Sequence, residues 1–233
     1  MEQQNNIPKH VVLFPDGNRR WAKERGFPTL EGHRRGKENF EGFLDWCRAR
    51  GVTVITVFGF SSENWNRPEE EVHYLMDLFE EYLGNVKDIE KFQREGIHVS
   101  IIGQKERLRP SLQKVIAHVE EQTKNNTRFY LNLAVSYGGK WDITQAVRKI
   151  VQEGILAEEI TEDTIAQRLS TAGLPDPDLI IRAGGEKRFS NFVLWQGAYA
   201  ELYFCPKYWP DFKEQDLDDA FAEYAQRQRR FGH

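Results

Sequence analysis

The spacing of apolar residues changes repeatedly along this chain, and the changes predict alternating strands and helices. Short, nearly continuous apolar runs rich in β-branched residues are typical of strands covered on both faces. The clearest such run is VTVITVFGF, residues Val52–Phe60. The predicted strands are Val11–Phe14, Val52–Phe60, Ile97–Gly103, Arg128–Tyr137 and Pro177–Gly185.

Between these runs, apolar side chains recur every three or four residues, which is the helical period. In the first such segment Phe40, Phe43 and Leu44 share one face, and Gly51 ends the helix. The predicted helices are Glu31–Arg50, Glu69–Glu95 with a kink at Gly84, Ser111–Lys124, Trp141–Gln152, a short helix capped by Thr161 and ending near Gly173, and a last helix from a cap at Asp216 to Arg229.

Strands that alternate with helices of this length favour βαβ crossovers. We therefore expect an α/β fold with a mainly parallel central sheet and helices on both faces. No internal repeat, low-complexity tract or Pro/Gly/Ser-rich linker divides the sequence. Residues 1–233 are predicted to form a single domain, with residues 1–9 as a polar N-terminal tail.

Composition narrows the partners and the compartment. A net charge of −4 leaves no general basic field for nucleic acid, although it allows a local basic pocket. Cys47 and Cys205 form no Cys-x-x-Cys pair, which favours a reducing compartment over a zinc site or a disulfide framework. The polar start is unlike a signal peptide, and no apolar stretch is long enough to span a bilayer, so we expect a cytoplasmic protein.

Polar clusters follow three of the predicted strands: Asp16–Arg20, Phe60–Pro68 and Arg182–Phe192. Ligands of open parallel sheets bind beyond the carboxyl ends of the strands, so we expect these clusters to meet at one rim. Guanidinium groups match phosphate oxygens in a forked geometry, and the rim therefore predicts a phosphate or diphosphate site. Its basic residues are Arg19, Arg20, Arg67, Arg182, Lys187 and Arg188.

Two further features fit an anion site. The glycines Gly17, Gly184 and Gly185 would let backbone amides approach the anion. Asp16 and Glu201 are hard oxygen ligands of the kind that Mg²⁺ takes together with substrate phosphates.

Each of these features also has an ordinary structural explanation. Asp-Gly-Asn alone most often forms a turn, and His33 near a helix start fits a surface or cap residue. Trp21, Phe60 and Trp65 fit a core as well as a ligand site. The charges alone are compatible with a diphosphate-binding module or a phosphatase. The coincidence of three polar clusters at three strand ends favours a functional site.

Longer motifs carry a resemblance to a known family. They are HVVLFPDGNRRWAKERG…GHRRG, TVFGFSSENWNRP, LNLAVSYGGKWDI and DLIIRAGGEKRFSNFVLWQGAYAELYF…WPDF, with RRFG near the end. In order and spacing, from His10 to Gly232, they resemble the cis-prenyltransferases (isoprenyl transferases), and most closely the bacterial undecaprenyl diphosphate synthases.

The resemblance implies a reaction and its partners. Family members use magnesium to condense isopentenyl diphosphate with an allylic diphosphate such as farnesyl diphosphate, and each cycle forms a cis double bond. The growing chain lies in an apolar tunnel, which leaves room for peripheral membrane contact when the product is released. The resemblance further implies a homodimer in which Arg230 and Gly232 lie near the partner's site.

Roles for individual residues also follow from the resemblance. Asp16 corresponds to the aspartate that handles magnesium and the leaving diphosphate, and Glu201 to a glutamate linked to the magnesium. Ser61 and Asn64 correspond to candidates for proton removal. The residues implied to bind the substrates are Gly17, Asn18, Arg19, Arg20, Trp21 and His33 around the allylic diphosphate, Phe60, Ser61, Asn64, Trp65 and Arg67 beside the reacting carbons, and Arg182, Arg188 and Ser190 around isopentenyl diphosphate.

Several positions depart from the usual family pattern. Pro15 stands where methionine is usual, Arg19 where glycine is frequent, and Thr29 where an arginine usually helps to bind diphosphate. One hypothesis is that Arg19 supplies the charge missing at Thr29. These departures keep a short-chain or irregular terpene diphosphate synthase open as an alternative. A non-catalytic subunit is disfavoured, because such subunits tend to lose the Asp-Gly-Asn loop and the phosphate arginines that this chain keeps.

Overall fold

Six parallel strands form the centre of the protein, for which a computed structural model describes residues 7–227. In chain order they are β1 (His10–Phe14), β2 (Val54–Ser61), β3 (Ile97–Ile102), β4 (Phe129–Tyr137), β5 (Leu179–Arg182) and β6 (Glu201–Phe204). Across the sheet the order is β3-β4-β2-β1-β5-β6, and each neighbouring pair is parallel. The predicted fold class is confirmed.

Helices cover both faces of this sheet. The α-helices are α1 (Asn18–Glu24), α2 (Thr29–Ala49), α3 (Glu69–Gly84), α4 (Val86–Glu95), α5 (Pro110–Thr123), α6 (Gly139–Gln152), α7 (Glu162–Ala166) and α8 (Glu214–Gln226). No helix within residues 7–227 combines the length and the apolar character that a membrane span requires.

The side chains of β1 show how the core is divided. Successive residues of a strand point to opposite faces. Val11 and Leu13 therefore join the larger core, which includes residues of α2, α3, α5 and α8. Val12 and Phe14 join a smaller core on the other face.

The segment predicted as one kinked helix, Glu69–Glu95, is two helices. Asn85 leaves the helical backbone with φ −70° and ψ 118°, and its Oδ1 accepts a hydrogen bond from the backbone amide of Lys87. An asparagine that satisfies a free amide in this way is a favoured helix N-cap, so the chain restarts as α4 instead of bending.

Other boundaries differ from the prediction in smaller ways. The last helix begins at Glu214, and Asp216 lies in its first turn with Oδ2 accepting from the Lys213 amide. Thr161 caps α7 as predicted, but that helix ends at Ala166. Residues 7–9, assigned to the tail, are partly packed: Ile7 lies against the larger core and Pro8 is buried. The short elements α1 and β6 were not predicted.

A buried polar chain joins three strands of the sheet. His10 Nδ1 lies 2.7 Å from the carbonyl oxygen of Pro175, and its Nε2 lies 2.8 Å from Thr56 Oγ1. Asn132 Nδ2 donates to the same threonine oxygen over 3.0 Å. A neutral imidazole fits this pattern, with Nδ1–H donating to the carbonyl and Nε2 accepting from the hydroxyl. Burial lowers the pKa of His10 to about 4.

We expect the free energy of unfolding to decrease as the pH falls from about 6.5 toward about 4, because in this window the unfolded chain binds a proton at His10 and the folded chain does not. The contribution of this group approaches about 1.4 kcal/mol per pH unit. Urea unfolding across this range should therefore show a steeper pH dependence for the wild type than for His10→Gln. Equal slopes would contradict the prediction, since the acidic residues are common to both proteins.

Candidate active site

The carboxyl ends of β1, β2 and β5 meet at one edge of the sheet. Each is followed by one of the three polar clusters, so that Asp16, Asn64 and Arg188 come to one crevice. Two polar pockets open there. The central pocket has a volume of about 610 Å³ and the outer pocket about 800 Å³. Both volumes lie in the range of small-molecule sites.

Most of the predicted polar site residues line these pockets. In the central pocket they are Asp16, Asn18, His33, Ser61, Asn64, Arg67, Arg182, Arg188 and Ser190. In the outer pocket they are Asp16, Gly17, Asn18, Arg19, Arg20, His33 and Arg67. Thr29 lines the outer pocket together with Arg19, as the compensation hypothesis requires. Lys187 is exposed and is not among the lining residues.

The turn after β1 packs closely against neighbouring segments of the chain. Gly17 has a left-handed φ of 101°, and a Cβ at this position would lie 2.6 Å from a ring carbon of Tyr208. Asn18 then begins α1 against two glycines of α2. A Cβ at Gly32 would lie 2.1 Å from the Asn18 carbonyl oxygen, and one at Gly36 would lie 2.6 Å from its Oδ1. Glycines therefore allow this loop to sit directly on α2.

Two carboxylates separate three arginines on one side of the crevice. Asp16 Oδ2 accepts from Arg182 Nη2 over 2.8 Å, and its Oδ1 lies 3.3 Å from Arg20 Nη2. Arg20 Nη1 also donates to Glu186 over 3.0 Å, and Glu186 pairs in turn with Arg188. Three guanidiniums and two carboxylates leave this group with a net positive charge and with fixed side chains.

Arg182 is the most enclosed of these arginines, with 4% of its surface exposed. Its Nη1 donates to Ser190 Oγ over 2.9 Å and to the carbonyl of Arg188. Its guanidinium lies 4.9 Å from the centre of the Phe14 ring. Ser190 itself has a positive φ of 46°, which is uncommon for a residue other than glycine. The loop therefore holds both partners in a fixed arrangement.

A third carboxylate, Glu71, lies on the other side of the crevice and was not predicted. It belongs to the first turn of α3, and only 5% of its surface is exposed. Burial alone would raise its pKa, but the hydrogen bond from His33 and the charges of Arg67 and Arg19 hold the pKa of Glu71 below its usual value. The i,i+4 spacing of Arg67 and Glu71 at a helix start was the available signal.

The aromatic residues expected beside the substrate have structural contacts instead. Trp21 is buried and donates from Nε1 to Asp211 over 2.8 Å. Phe60 is buried with its ring packed edge-on against Trp65, whose Nε1 donates to Ser136 Oγ. None of the three predicted aromatics is among the residues that line the two pockets within the described part of the chain.

Phe58 takes the place expected for Phe60. The register of β2 against β4 shifts between Phe58 and Phe60, so Gly59 forms a bulge. Phe58 lines the central pocket and stacks on Phe192, with ring centres 4.1 Å apart. A bulge that redirects a side chain next to a site is a common device in sheets.

An apolar cavity of about 120 Å³ adjoins the central pocket. Its wall on α2 runs from His33 to Phe40, and its wall on α3 runs from Leu75 to Tyr82. Both walls are therefore about 10 Å long. Phe40 and Tyr82 contact each other edge to face, with centres 6.3 Å apart. These two rings close the end of the cavity that is farther from the polar pockets.

The apolar stripe of α3 is divided between the cavity and the larger core. Leu75 and Phe79 line the apolar cavity. Met76 and Leu83 are buried in the larger core.

The residues present fit a magnesium ion bound through one carboxylate. Mg²⁺ typically takes one or two carboxylates together with phosphate oxygens and water. The side chain of Asp16 is one-third exposed, and it lines both polar pockets. Asn18 lines the same two pockets, and its Oδ1 is buried against Gly36 without a hydrogen-bond partner.

Glu201, the other predicted metal ligand, lies elsewhere. It pairs with Leu179 at the amino-terminal end of β5, whereas Arg182 at the other end of that strand contacts Asp16. Three residues of strand separate these levels by about 10 Å. Glu201 is bound instead to Arg227 over 2.6 Å. Within one chain, Asp16 and Glu201 therefore lie at opposite ends of the parallel strands, and a shared metal ion stays a prediction.

Comparison with known proteins identifies one family over nearly the whole chain. The prenyltransferase family model described as undecaprenyl diphosphate synthase matches residues 14–232. An isoprenyl transferase of Neisseria meningitidis is 48% identical over 226 residues, covering 97% of this chain and 90% of that protein. A ditrans,polycis-undecaprenyl-diphosphate synthase of Vibrio vulnificus, specific for (2E,6E)-farnesyl diphosphate, is 46% identical over 231 residues, covering 97% and 91%.

A solved structure agrees with this assignment. Lavandulyl diphosphate synthase from Lavandula x intermedia, in complex with dimethylallyl diphosphate, has a TM-score of 0.92 to this protein. The two are 41% identical, and the match covers 97% of this chain and 99% of the other. The resemblance inferred from the sequence motifs is thus confirmed, and the chain belongs to the undecaprenyl diphosphate synthase family of prenyltransferases.

Proposed function

We propose that the protein condenses isopentenyl diphosphate with an allylic diphosphate to form a cis-prenyl diphosphate. The observation that carries this proposal is the pair of cationic pockets that meet at Asp16, His33 and Arg67, with an apolar cavity beside them. Two diphosphates repel each other, so holding both within reacting distance requires two sets of positive charges. The relatives with farnesyl diphosphate specificity support farnesyl diphosphate as primer and undecaprenyl diphosphate as product.

In this proposal the outer pocket receives the allylic diphosphate. As its C–O bond breaks, negative charge grows on the leaving diphosphate, and Arg19 and Arg20 stabilise that charge more than they stabilise the ground state. Gly17 and Asn18 place the α1 backbone against the same group. Phe58 and Pro15 shield the allylic carbons from water.

The central pocket receives isopentenyl diphosphate. Arg182, Arg188 and Ser190 bind its diphosphate. Its C4 alkene carbon attacks the allylic carbon, a carbon–carbon bond forms, and a proton leaves C2. Ser61 and Asn64 face this pocket, and the Ser61 backbone amide fixes Asn64 by donating to its Oδ1 over 3.1 Å. We assign these two side chains to the proton-removal step, in which they orient the acceptor, and the released diphosphate takes the proton.

We propose Mg²⁺ as the cofactor, held by Asp16 with Asn18 nearby and with oxygens of the substrate. When bound, the ion would supply charge neutralisation for the leaving diphosphate. The fixed contacts of Asp16 to Arg182 and Arg20 orient its carboxylate for this role.

We further propose a cytoplasmic homodimer that meets membranes only at the surface, for release of an apolar product. The exposed apolar residues Val147 and Val151 on α6, with Leu156 and Ile160 after it, support an interface between copies, since such residues are costly to leave in water. Two free, buried cysteines support a reducing compartment. Arg230 and Gly232, predicted to reach the partner's site, lie outside the described residues.

The apolar cavity favours a second candidate, a short-chain synthase of the same family. A cavity of about 150 Å³ holds one benzene ring. The cavity of about 120 Å³ therefore has room for roughly one five-carbon unit before it reaches Phe40 and Tyr82. A long product requires these rings to move. The likeness to lavandulyl diphosphate synthase with dimethylallyl diphosphate also supports this candidate.

The product assay tests the function directly. Purified protein is incubated with magnesium, radiolabelled isopentenyl diphosphate and either farnesyl or dimethylallyl diphosphate, and the dephosphorylated products are sized by reversed-phase chromatography. A ladder that ends near eleven isoprene units is expected for the first candidate, and a stop after one or a few additions for the second. No incorporation from either primer would contradict both and favour a non-catalytic subunit or an irregular coupling that does not use isopentenyl diphosphate.

Asp16→Ala should abolish turnover while the protein still folds, because it removes the proposed ligand of magnesium. Asp16→Asn keeps the shape of the side chain and a hydrogen bond to Arg182. Comparing it with Asp16→Ala therefore separates the effect of the lost charge from the effect of the lost side chain. We expect turnover to fall at least about a hundredfold in both, which corresponds to about 2.7 kcal/mol of transition-state stabilisation. Circular dichroism checks the fold, and near-normal turnover in either variant would refute the assignment.

Tyr82→Ala should lengthen the products, because it removes the ring that closes the apolar cavity against Phe40. Sizing the products of the variant and the wild type side by side measures the effect. Tyr130→Ala is a matched control on β4, since the Tyr130 ring lies 5.4 Å from that of His98 and does not line the cavity. An unchanged product distribution in Tyr82→Ala would contradict the idea that this ring limits the chain.

A further inference from the structure

We infer that Glu71 is a positioning residue of the reaction, whose carboxylate fixes Arg67 and His33 at the boundary of the two pockets. This inference rests on the proposed function. Glu71 itself lines neither pocket, whereas Arg67 and His33 line both. Glu71 therefore acts through these two residues, and they present oriented cations or donors to the substrates.

The contacts of Glu71 join separate elements of the fold. Its Oε1 accepts from Arg67 Nη1 over 2.9 Å and lies 3.0 Å from His33 Nε2. His33 comes from α2, Arg67 from the loop after β2, and Glu71 from the first turn of α3. One carboxylate can relate these segments because its two oxygens offer several lone pairs.

Charge explains why a carboxylate is needed here. Arg67 is largely enclosed, and burial of an unpaired guanidinium carries a large desolvation cost. Glu71 offsets that cost, and the amino-terminal end of α3 favours the negative charge. The hydrogen bond uses Arg67 Nη1, which leaves the Nε and Nη2 side of the guanidinium for a phosphate oxygen.

A structural junction alone would not require this arrangement. Replacing a buried ion pair by well-packed apolar residues is often neutral or stabilising. Here the pair instead keeps two polar side chains in the wall that the outer and central pockets share, which Asp16 also lines. Because these side chains are fixed, they hold the two diphosphates at a defined distance. That distance affects the rate of the chemical step.

Arg19 is a third and looser partner of Glu71. Its Nε lies 3.6 Å from Glu71 Oε2, and half of its side chain is exposed. Since Arg19 lines only the outer of the two polar pockets, Glu71 also links the cation found there to the shared boundary.

The test compares Glu71→Gln with Glu70→Gln. Both variants remove one negative charge from the first turn of α3, but Glu70 is exposed and lies outside the two pockets. We expect kcat to fall at least about tenfold in Glu71→Gln and to stay unchanged in Glu70→Gln. Inorganic diphosphate with magnesium, titrated by calorimetry, should bind Glu71→Gln at least as tightly as wild type, because a negative charge beside the site is gone.

A double-mutant cycle separates positioning from general structural damage. Arg67→Gln and the double variant Arg67→Gln/Glu71→Gln complete the cycle. If Glu71 acts through Arg67, the losses in kcat are strongly non-additive. Additive losses, an unchanged kcat in Glu71→Gln, or parallel loss of turnover and of diphosphate binding would overturn the inference. Should Glu71→Gln fail to fold, Glu71→Asp, which keeps the charge but shortens the reach, replaces it with the same expectation for kcat.

A failure of the proposed function can be distinguished from a failure of the positioning role of Glu71. If the wild type fails to incorporate isopentenyl diphosphate whichever primer is supplied, the proposed function is wrong. The same cycle is then measured on the binding of inorganic diphosphate. Coupling between positions 67 and 71 would support the positioning role, and additivity would overturn it.

Discussion

Mutual repulsion among cations is the constraint on which this site depends. Arginines from three loops converge on one crevice, and without anions between them they would repel each other and lose hydration. Asp16 and Glu186 separate Arg182, Arg20 and Arg188 on one side. Glu71 serves the cations on the other side. Because each group keeps more positive than negative charges, both remain attractive to a diphosphate while the side chains stay ordered.

The sheet fixes where these groups meet, and small local features decide which side chains reach the pockets. Parallel strands bring three loops to one edge regardless of their detailed sequence, which is why the convergence could be predicted. Glycines then allow the loop at Gly17 and Asn18 to pack directly on α2. The bulge at Gly59 places Phe58 and Phe60 in different cores, although two residues apart in a regular strand they would share a face.

The contrast between the arrangement of the sheet and these small local features explains what could be predicted from the sequence and what could not. The periods of apolar residues indicate the long strands and helices, but α1 and β6 are too short for a period to be visible. Phe60 lies outside the pockets that Phe58 lines, and the sequence did not indicate this because one extra residue in a strand leaves no trace in composition. Glu71 was missed because its partner His33 is 38 residues away, and acidic residues in a first helical turn usually face solvent. The separation of Glu201 from Asp16 follows from strand register, which the motifs do not contain.

Electrostatic contacts also affect the apolar cavity, because α2 and α3 are joined by polar contacts at two places. Near the polar pockets, the tie is the buried contact between His33 and Glu71. Near Tyr82, it is the ion pair between Lys37 and Glu81, 2.9 Å long, in which Glu81 is 64% exposed. An exposed pair contributes at most about 1 kcal/mol, whereas breaking a buried one costs several times more. The stronger of the two contacts therefore lies beside the polar pockets, and the weaker one lies at the end of the cavity closed by Phe40 and Tyr82.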